Sequence, residues 1–376
     1  MGGSLTEPPV LRAWRVTSYM SKRVVAAGGV HIGAGNPVTI QSMCSVPFSR
    51  FDELAAQALR LQEEGCDILR VSVPDRESAD RFAELKSILK IPLVADIHYD
   101  AELAISSIRA GADKIRINPG NMPESDIRRI AQEAKSRGVP IRVGVNGGSL
   151  EKDLLKKYGS PCAQALAESA DRNVKRLEEC GFEDIVVSIK TSNVPIMVSA
   201  YRLFESKYNP KGYPLHLGVT EAGTLRTGTI KSAAGIGALL LDGIGDTIRV
   251  SLAADPAEEV AAAKSLLRAL GLREGGLEVI SCPTCGRTTV NSIELADRIE
   301  KEFADVQTPI RIAVMGCPVN GIGEAAESDF GVTGANGRYV LFKKGKIIKD
   351  ISPDKIFDVI RAEIDNVIHN RKTKSE

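Results

Sequence analysis

Three cysteines near the C-terminus have the spacing of metal ligands. Cys282 and Cys285 lie three residues apart in SCPTCGR, and Cys317 follows in MGCPVNGIGEA. Two close thiols and a third further along the chain are typical of metal sites. The strongest further ligand nearby is Glu324, in a glycine-flanked turn. Three thiolates and one carboxylate predict a metal centre with one exchangeable ligand, as a centre that reacts with substrate requires.

The spacing of these cysteines fits zinc and iron–sulfur centres equally well. Structural zinc sites are usually closed by four Cys or His ligands, so the missing fourth thiol argues against a structural zinc. Proline follows both Cys282 and Cys317, which is typical of iron–sulfur ligand loops. A zinc knuckle that stabilises a small domain remains the alternative.

Cations interrupt several apolar runs that read as β-strands. They are Arg70, Arg116, Arg142 and Arg249 inside the runs, and Lys190 directly after one. Buried cations without partners are costly, so five of them require anions. One interpretation is structural pairing with Asp or Glu at the lower face of a barrel. We favour convergence on a polyanion the size of a diphosphate, because arginine binds phosphate oxygens in a bidentate manner.

Polar residues end the same runs. They are Asp96, His98, Asn118, Asn146, Ser188, Thr220, Glu221 and Ser251. The catalytic groups of parallel barrels lie at the carboxyl ends of the strands, so these residues predict an active site there. Glu221 is suited to proton transfer or to binding a substrate hydroxyl.

Eight strand-like runs alternate with amphipathic helical stretches. The runs are 38–43, 68–73, 91–97, 113–118, 140–145, 184–189, 214–219 and 246–251. Regular alternation predicts a parallel sheet, and eight units predict a closed (β/α)8 TIM barrel. An open doubly wound sheet is the second choice.

The regular alternation of strands and helices ends at the LREGG segment (272–276), which we interpret as a linker. We therefore predict an N-terminal extension (1–30), a barrel domain (31–271) and a small α+β domain (277–376). Both cysteine loops follow predicted strands of the small domain, so they can meet in space. The linker looks too short to fold this domain over the mouth of its own barrel.

Composition narrows the class of protein. The chain has 376 residues and a net charge of +1, so nothing global indicates nucleic acid or an anionic membrane as a partner. The longest apolar stretch, AAGIGALLL (233–241), is too short to span a bilayer. Seven cysteines without a signal peptide predict a reducing, cytoplasmic location.

Taken together, the motifs resemble one family. The matching strings are ILRVSVPD, IPLVADIH, KIRINPGN, RVGVNGGSLE, LHLGVTEAG, GIGDTIRVSLAADP, SCPTCGR and GCPVNGIGEA, spread over roughly residues 30 to 335. They are similar to the IspG family of bacterial 4-hydroxy-3-methylbut-2-enyl diphosphate synthases in its two-domain form. The resemblance implies a TIM barrel followed by a small iron–sulfur domain.

The resemblance also implies a function. It implies reductive ring opening and dehydration of 2-C-methyl-D-erythritol 2,4-cyclodiphosphate in the non-mevalonate isoprenoid pathway, with electrons from flavodoxin or ferredoxin. A [4Fe–4S] cluster would be held by Cys282, Cys285, Cys317 and Glu324. The five cations would hold the diphosphate, and Glu221 would contact the departing hydroxyl. A homodimer is implied, in which the cluster domain of one subunit caps the barrel of the other.

The sequence departs from the family pattern at Cys44, where a threonine is usual, and at Pro318 and Ile322 in the second cysteine loop. Two rival functions remain at this point. One is a zinc-stapled barrel that acts as a condensing enzyme, and the other is a phosphometabolite-binding protein without redox activity.

Overall fold

The computed structural model describes residues 21–97, 99–319, 323 and 327–373. The chain divides into two compact units, and the boundary falls between Arg273 and Glu274, inside the predicted linker. Within the described part of the chain, no helix is both long and apolar enough to cross a membrane.

The first unit is built around eight parallel strands. They are β3 (Thr39–Met43), β4 (Ile68–Ser72), β5 (Leu93–Asp96), β6 (Lys114–Ile117), β7 (Ile141–Asn146), β8 (Ile185–Lys190), β9 (His216–Leu217) and β10 (Thr247–Ile248). Their order is β8-β7-β6-β5-β4-β3-β10-β9. Each strand overlaps the run that the sequence predicted for it.

The sheet closes on itself. Val187 of β8 pairs with Leu215, just before β9, and the Val187 N–H donates to the Pro214 carbonyl at 2.9 Å. Strands β9 and β10 are shorter than predicted, but the Arg249 N–H still donates to the Leu217 carbonyl at 3.0 Å beyond their ends. The predicted (β/α)8 barrel is confirmed, and the open doubly wound sheet is wrong.

Nine helices of this unit are described. They are α1 (Phe51–Glu63), α2 (Arg76–Ile88), α3 (Ala101–Arg109), α4 (Glu124–Arg137), α5 (Lys152–Tyr158), α6 (Ala163–Glu179), α7 (Val194–Leu203), α8 (Leu225–Leu241) and α9 (Pro256–Ala269). Several begin with a side-chain cap: Asp75 accepts from the Ser78 N–H, and Asp255 from the Ala257 N–H. Such caps satisfy the free N–H groups of a first turn. Helix α4 ends at Gly138, whose φ of 64° is the left-handed conformation that commonly closes a helix.

A short hairpin packs beneath the barrel. Strands β1 (Val25–Ala27) and β2 (Val30–Ile32) pair antiparallel. Ala27 and Ile32 form an apolar cluster with Ile68 and Val94, at the amino-terminal ends of β4 and β5. Strand β1 lies within the predicted extension 1–30, yet it belongs to the packing of the barrel. The finer domain bounds stay predictions.

The described part of the second unit contains a five-stranded mixed sheet and two long helices. Its elements are β11 (Leu277–Ser281), α10 (Ser292–Glu302), β12 (Ile310–Met315), β13 (Phe330–Ala335), β14 (Arg338–Lys343), β15 (Lys346–Ile351) and α11 (Ile356–Lys372). The strands lie in chain order, with β11, β12 and β13 parallel and the last two pairs antiparallel. The predicted α+β character is confirmed.

One face of this sheet is covered by the helices. Ile299 of α10 and Ile360 of α11 pack against Ile312 and Val332 of the sheet. On the other face, Cys282 and Ile280 pack against a smaller apolar cluster. The first cysteine is therefore fixed to the sheet rather than carried on a free loop.

Candidate active site

Two adjoining cavities open at the carboxyl ends of the barrel strands. The inner cavity, of about 250 Å³, is lined by Arg70, Asp96, Arg116, Arg142, Val145, Asn146, Ser188, Lys190, Thr220, Arg249 and Ser251. The outer cavity, of about 510 Å³, is lined by Tyr99, Arg116, Asn118, Asn146, Gly147, Gly148, Ser149, Pro161, Thr191, Ser192, Thr220 and Glu221. They share Arg116, Asn146 and Thr220. The structure thus brings together every predicted barrel residue that it describes; His98 lies outside the described residues.

Strand register explains why the cations converge. Across neighbouring strands, Asp96 pairs with Arg116 and Arg116 with Arg142. Paired residues of a parallel sheet point to the same side. The guanidinium of Arg116 lies across Gly144, where a methyl group would stand 2.9 Å from its Nη2 atom. Lys190 lies over Gly218 in the same way, with its Nζ atom 2.7 Å from the position of a methyl group.

Carboxylates pair with only part of the cationic set. Arg116 Nη1 lies 3.3 Å from Asp96 Oδ1, and Arg249 Nη2 lies 3.3 Å from Glu259 Oε2 on α9. The structural-pairing interpretation therefore accounts for two of the five cations.

The other three cations lack such a salt bridge among the described residues. Arg70 donates to Met43 Sδ at 2.9 Å and 3.1 Å. Arg142 is 1% exposed, and its Nε and Nη1 atoms have no hydrogen-bond partner in the described part of the chain. Lys190 likewise makes no hydrogen bond or ion pair to any described residue. The inner cavity is therefore rich in positive charge that its own walls do not neutralise.

The pKa values of these three cations are lowered by burial and by the neighbouring positive charges. Burial, partly offset by Asp96 and reinforced by Arg249 and Arg116, lowers the pKa of Arg70 to about 10. Burial and neighbouring arginines hold the pKa of Arg142 and of Lys190 well below their usual values. An anion in the cavity would reverse these shifts, because it favours the charged forms.

Glu221 occupies a strained position at the rim of the outer cavity. Its φ is 50°, in the left-handed region that residues other than glycine seldom adopt. Such strain persists only where the surroundings impose it, and it is common at functional sites. Thr220, which lines both cavities, precedes it. The predicted acid–base candidate is thus at the mouth, beside the cation-lined cavity.

Helix α6 fixes two loops of the mouth. Ser169 and Asn173 donate to the Glu151 carboxylate, the serine at 2.7 Å and the asparagine at 2.9 Å. Arg176, on the same face, donates to the carbonyls of Pro119 and Met122. These contacts hold the loops that carry Asn118 and Asn146.

Sequence reasoning missed several residues of the barrel interior. Lys114 and His216 are both 0% exposed and stand inside predicted strands, so the signal that revealed the arginines applied to them too. Glu259 gave no signal, because an acidic residue in a helix is ordinarily solvent-exposed. Cys44, the departure from the family pattern, lies in the barrel's apolar core and lines neither cavity. Burial raises the pKa of its thiol to about 12.

The cysteine loops of the second unit lie at the carboxyl ends of two neighbouring strands of its sheet. Cys282 directly follows β11, and Cys317 follows β12 by two residues. These strands are parallel neighbours, with Ser281 opposite Val314, so the predicted meeting of the two loops is confirmed. All three cysteines are free thiols.

The donor atoms fit a thiolate-bound group. The Gly316 N–H donates to Cys282 Sγ at 3.2 Å. Hydrogen bonds from the backbone and side chain of Arg287, with a smaller one involving Cys317, lower the pKa of the Cys285 thiol. The thiolate is the form that binds metal. No three Cys, His, Asp or Glu side chains among the described residues are grouped around a single ion position, and Glu324 lies outside those residues.

Comparison with known proteins identifies the family. The model of the GcpE TIM-barrel domain matches residues 22–264, and that of the GcpE protein C-terminal domain matches residues 278–366. The 4-hydroxy-3-methylbut-2-en-1-yl diphosphate synthase (flavodoxin) of Caldanaerobacter subterraneus subsp. tengcongensis is 52% identical over 347 residues, which are 92% of this chain and 97% of that protein. The enzyme of the same name from Anoxybacillus flavithermus is 48% identical over 355 residues, 94% of this chain and 97% of that one.

Among solved structures, the dihydropteroate synthase of Stenotrophomonas maltophilia is similar with a TM-score of 0.48 and 17% identity, over 66% of this chain and 98% of that one. A likeness of this size has no weight beside two matched family domains and relatives that are about half identical. The chain belongs to the GcpE family, also called IspG.

Proposed function

We propose that this protein catalyses the reductive ring opening of 2-C-methyl-D-erythritol 2,4-cyclodiphosphate to 4-hydroxy-3-methylbut-2-enyl diphosphate. The reaction consumes two electrons and two protons and releases one water. The observation that carries the proposal is the inner cavity, where five cations face two carboxylates. Membership of the GcpE family supports the same substrate, because the curated relatives are named for its product.

In this proposal, the barrel cations bind the diphosphate. Arg70, Arg142 and Lys190 supply charge that no carboxylate salt bridge neutralises. Arg116 and Arg249 are oriented by Asp96 and Glu259, so their remaining N–H groups are fixed in direction. Opening the ring transfers negative charge to a diphosphate oxygen, and fixed cations stabilise that charge without reorganisation.

Polar groups at the rim bind the rest of the substrate. Glu221 contacts the hydroxyl that departs as water and is the candidate proton donor to it. Asn118 Nδ2 lies 3.4 Å from Ser149 Oγ, and Asn146 accepts from the Gly148 N–H at 3.2 Å. These contacts orient two amides toward the outer cavity. The remaining predicted substrate contacts are Asp96, His98, Thr220 and Ser251.

Cys282, Cys285, Cys317 and Glu324 are proposed to hold a [4Fe–4S] cluster. When bound, the cluster supplies single electrons and a Lewis-acidic iron. The chain's own contribution is to fix the ligands: the Gly316 N–H bonds the Cys282 sulfur, and Arg287 favours the thiolate of Cys285. Such surrounding contacts orient ligands and tune a centre.

Flavodoxin is the proposed electron donor, because the relatives carry it in their names, and ferredoxin is the alternative. We further propose a homodimer in the cytoplasm, with each cluster domain serving the barrel of the other subunit. The short predicted linker and the family resemblance support this arrangement.

An anaerobic assay tests the proposed function. Protein purified without oxygen is given the cyclodiphosphate with reduced flavodoxin or with reduced ferredoxin, and the linear diphosphate is quantified. We expect turnover that requires reductant and is faster with flavodoxin. Colourless protein with one tight zinc and no reductive turnover would favour the condensing-enzyme rival. Substrate binding without turnover by cluster-loaded protein would favour the phosphometabolite-binding rival.

A further inference from the structure

Directly beneath the inner cavity, polar side chains occupy positions that this fold normally fills with branched apolar residues. Lys114 precedes Arg116 by two residues on β6, and Thr247 precedes Arg249 by two on β10. Residues two apart on a strand face the same side and are about 6.6 Å apart. His216 pairs with Thr247 across β9 and β10. We call Lys114, His216 and Thr247 the inner polar layer; all three are 0% exposed.

Lys114 has no water-facing surface, and its Nζ atom makes no hydrogen bond to any described residue. Its neighbour in the sheet is Val94, which packs into the apolar cluster formed with the hairpin. An ammonium group in this position would be buried against apolar atoms on one side and other cations on the other. Such burial strongly favours the neutral amine.

The charged groups that surround the inner polar layer come from seven strands. They are Arg70 on β4, Asp96 on β5, Arg116 on β6, Arg142 on β7, Lys190 at the end of β8, His216 on β9 and Arg249 beyond β10. Those that act on Lys114 are Arg142 and Arg70, which are both cations. Asp96 pairs with Arg116 and Glu259 with Arg249. Among the described residues, no carboxylate hydrogen-bonds to the Lys114 amine.

Burial, Arg142 and Arg70 together lower the pKa of Lys114 to about 7. His216 stays neutral, because burial and neighbouring basic groups, Arg142 foremost, hold its pKa well below the usual value. A diphosphate in the inner cavity would bring negative charge close to the inner polar layer. A unit charge about 7 Å away raises the pKa of an amine by roughly one to two, at an effective dielectric constant near 20.

We propose that Lys114 is a titrating positioning residue behind the diphosphate site. It is neutral in the ligand-free barrel and takes up one proton from solvent when the diphosphate binds. The site thus gains a further cation, next to Arg142, only while it is occupied. This inference rests on the proposed function, because it requires a diphosphate in the inner cavity.

The proposal fixes the sign of a pH effect. Binding that takes up a proton weakens as pH rises from the free-state pKa of about 7 toward the higher value of the complex. Affinity for the cyclodiphosphate should therefore fall by up to about tenfold per pH unit over that range. The ligand itself does not titrate there. Each of its phosphorus atoms carries one ester bond and one anhydride bond, which leaves a single strongly acidic hydroxyl. The ligand therefore lacks the second ionisation near pH 6 of a phosphate monoester.

Isothermal titration calorimetry tests the proposal. Oxidised, cluster-loaded protein without reductant is titrated with the cyclodiphosphate at pH 8, in buffers of different ionisation enthalpy, so that proton uptake is measured without turnover. We expect the wild-type protein to take up about one proton or more per ligand bound. Lys114→Met should take up nearly one proton fewer and should bind with a flatter pH dependence between pH 7 and 9.

Lys190→Met is the matched control. It removes an amine that lines the cavity and whose pKa is also held well below its usual value. It should therefore weaken binding and lose any proton that Lys190 itself takes up, while the uptake that belongs to Lys114 remains. If Lys114→Met does not fold, Lys114→Arg replaces it, since a guanidinium stays protonated and cannot take up the proton.

Three outcomes would overturn the inference. If wild-type protein binds the cyclodiphosphate without proton uptake, that result alone overturns the inference, whatever the variants show. Equal uptake by Lys114→Met and wild type would assign the proton to another group. Both results leave the proposed function intact, whereas a complete absence of binding would overturn the inference and the proposed function together.

Discussion

Arg142 illustrates how a single buried cation exchanges stability for affinity. The side chain is 1% exposed, and two of its three nitrogens have no hydrogen-bond partner among the described residues. Replacing an unpaired buried charge by an apolar group of similar size generally stabilises a fold. The ligand-free protein therefore carries a cost in stability that a diphosphate bound beside Arg142 would remove.

Arg142→Met should accordingly raise the Tm of the ligand-free protein and weaken its affinity for the cyclodiphosphate. Loss of a charge-assisted hydrogen bond costs about 1.5–3 kcal/mol, or about 10- to 150-fold in Kd. Thermal unfolding and calorimetric titration measure the two effects. Arg109→Met is the control, because Arg109 is 61% exposed in a surface pair with Glu133, and it should change neither. Unchanged affinity in Arg142→Met would make this arginine structural.

The cysteines of the second unit should be essential for iron. We expect Cys285→Ser to lose most of about four irons per chain and all turnover, whereas Cys162→Ser in the barrel unit should keep both. Glu324→Ala should keep an altered cluster, because three thiolates remain, while activity is lost. Anaerobic visible spectra and iron analysis provide the measurement. A wild-type spectrum and rate in Glu324→Ala would place the fourth ligand elsewhere.

Residue types predicted most residues of the candidate site, but not which of its cations form salt bridges with carboxylates. A charge inside an apolar strand is visible in sequence, and it revealed the five cations; Lys114 and His216 have the same signature and were overlooked. Glu259 was not predictable, because its role depends on how α9 is rotated against β10. In the structure its carboxylate accepts from the Leu252 N–H at 2.9 Å as well as pairing with Arg249.

Among elements, the barrel strands were predictable because their apolar runs are bounded by clear helix and turn signals. Strand β13 (Phe330–Ala335) was missed. Its sequence, FGVTGA, contains two glycines, and glycine is depleted in strands. Its place between β12 and β14 comes from tertiary packing, which a local pattern does not report.

Strand β7 also positions Arg116 through the absence of a side chain at Gly144. A methyl group there would lie 3.0 Å from Arg116 Cζ, closer than such atoms approach. Gly144→Ala should therefore displace the guanidinium from Asp96 and weaken cyclodiphosphate binding by about tenfold, the size of one lost charged hydrogen bond. Gly237→Ala in α8 is the control, since its nearest atom, Leu266 Cδ1, is at 3.8 Å. Equal affinities in the two variants would contradict this role.

At the scale of the whole molecule, the chain separates its two kinds of chemistry. The five cavity cations belong to the unit that ends at Arg273. The three proposed cluster ligands Cys282, Cys285 and Cys317 belong to the unit that begins at Glu274. Each unit has an apolar core of its own. A reaction that needs both the cations and these cysteines therefore requires a barrel mouth and the cysteine loops to come together, either within one chain or between two chains.

Subunit complementation distinguishes these arrangements. Glu221→Ala should inactivate the barrel, and Cys282→Ser should inactivate the domain proposed to hold the cluster, so each variant alone should be inactive. In a closed two-fold dimer with shared sites, every mixed dimer regenerates one intact centre, which combines the Cys282→Ser barrel with the Glu221→Ala cluster domain. Random exchange of equal amounts makes half of the dimers mixed, and each has one working centre of two. Roughly a quarter of full activity should therefore return.

Subunit exchange itself must be measured independently, for example by native mass spectrometry of a mixture in which one variant is isotope-labelled. A mixture of Glu221→Ala with Glu221→Ala/Cys282→Ser is the control, because its mixed dimers contain no intact barrel and should stay inactive. If exchange is complete and the first mixture also stays inactive, the active site is built within one chain. The linker 272–276 must then allow a return to its own barrel, contrary to the prediction from its length.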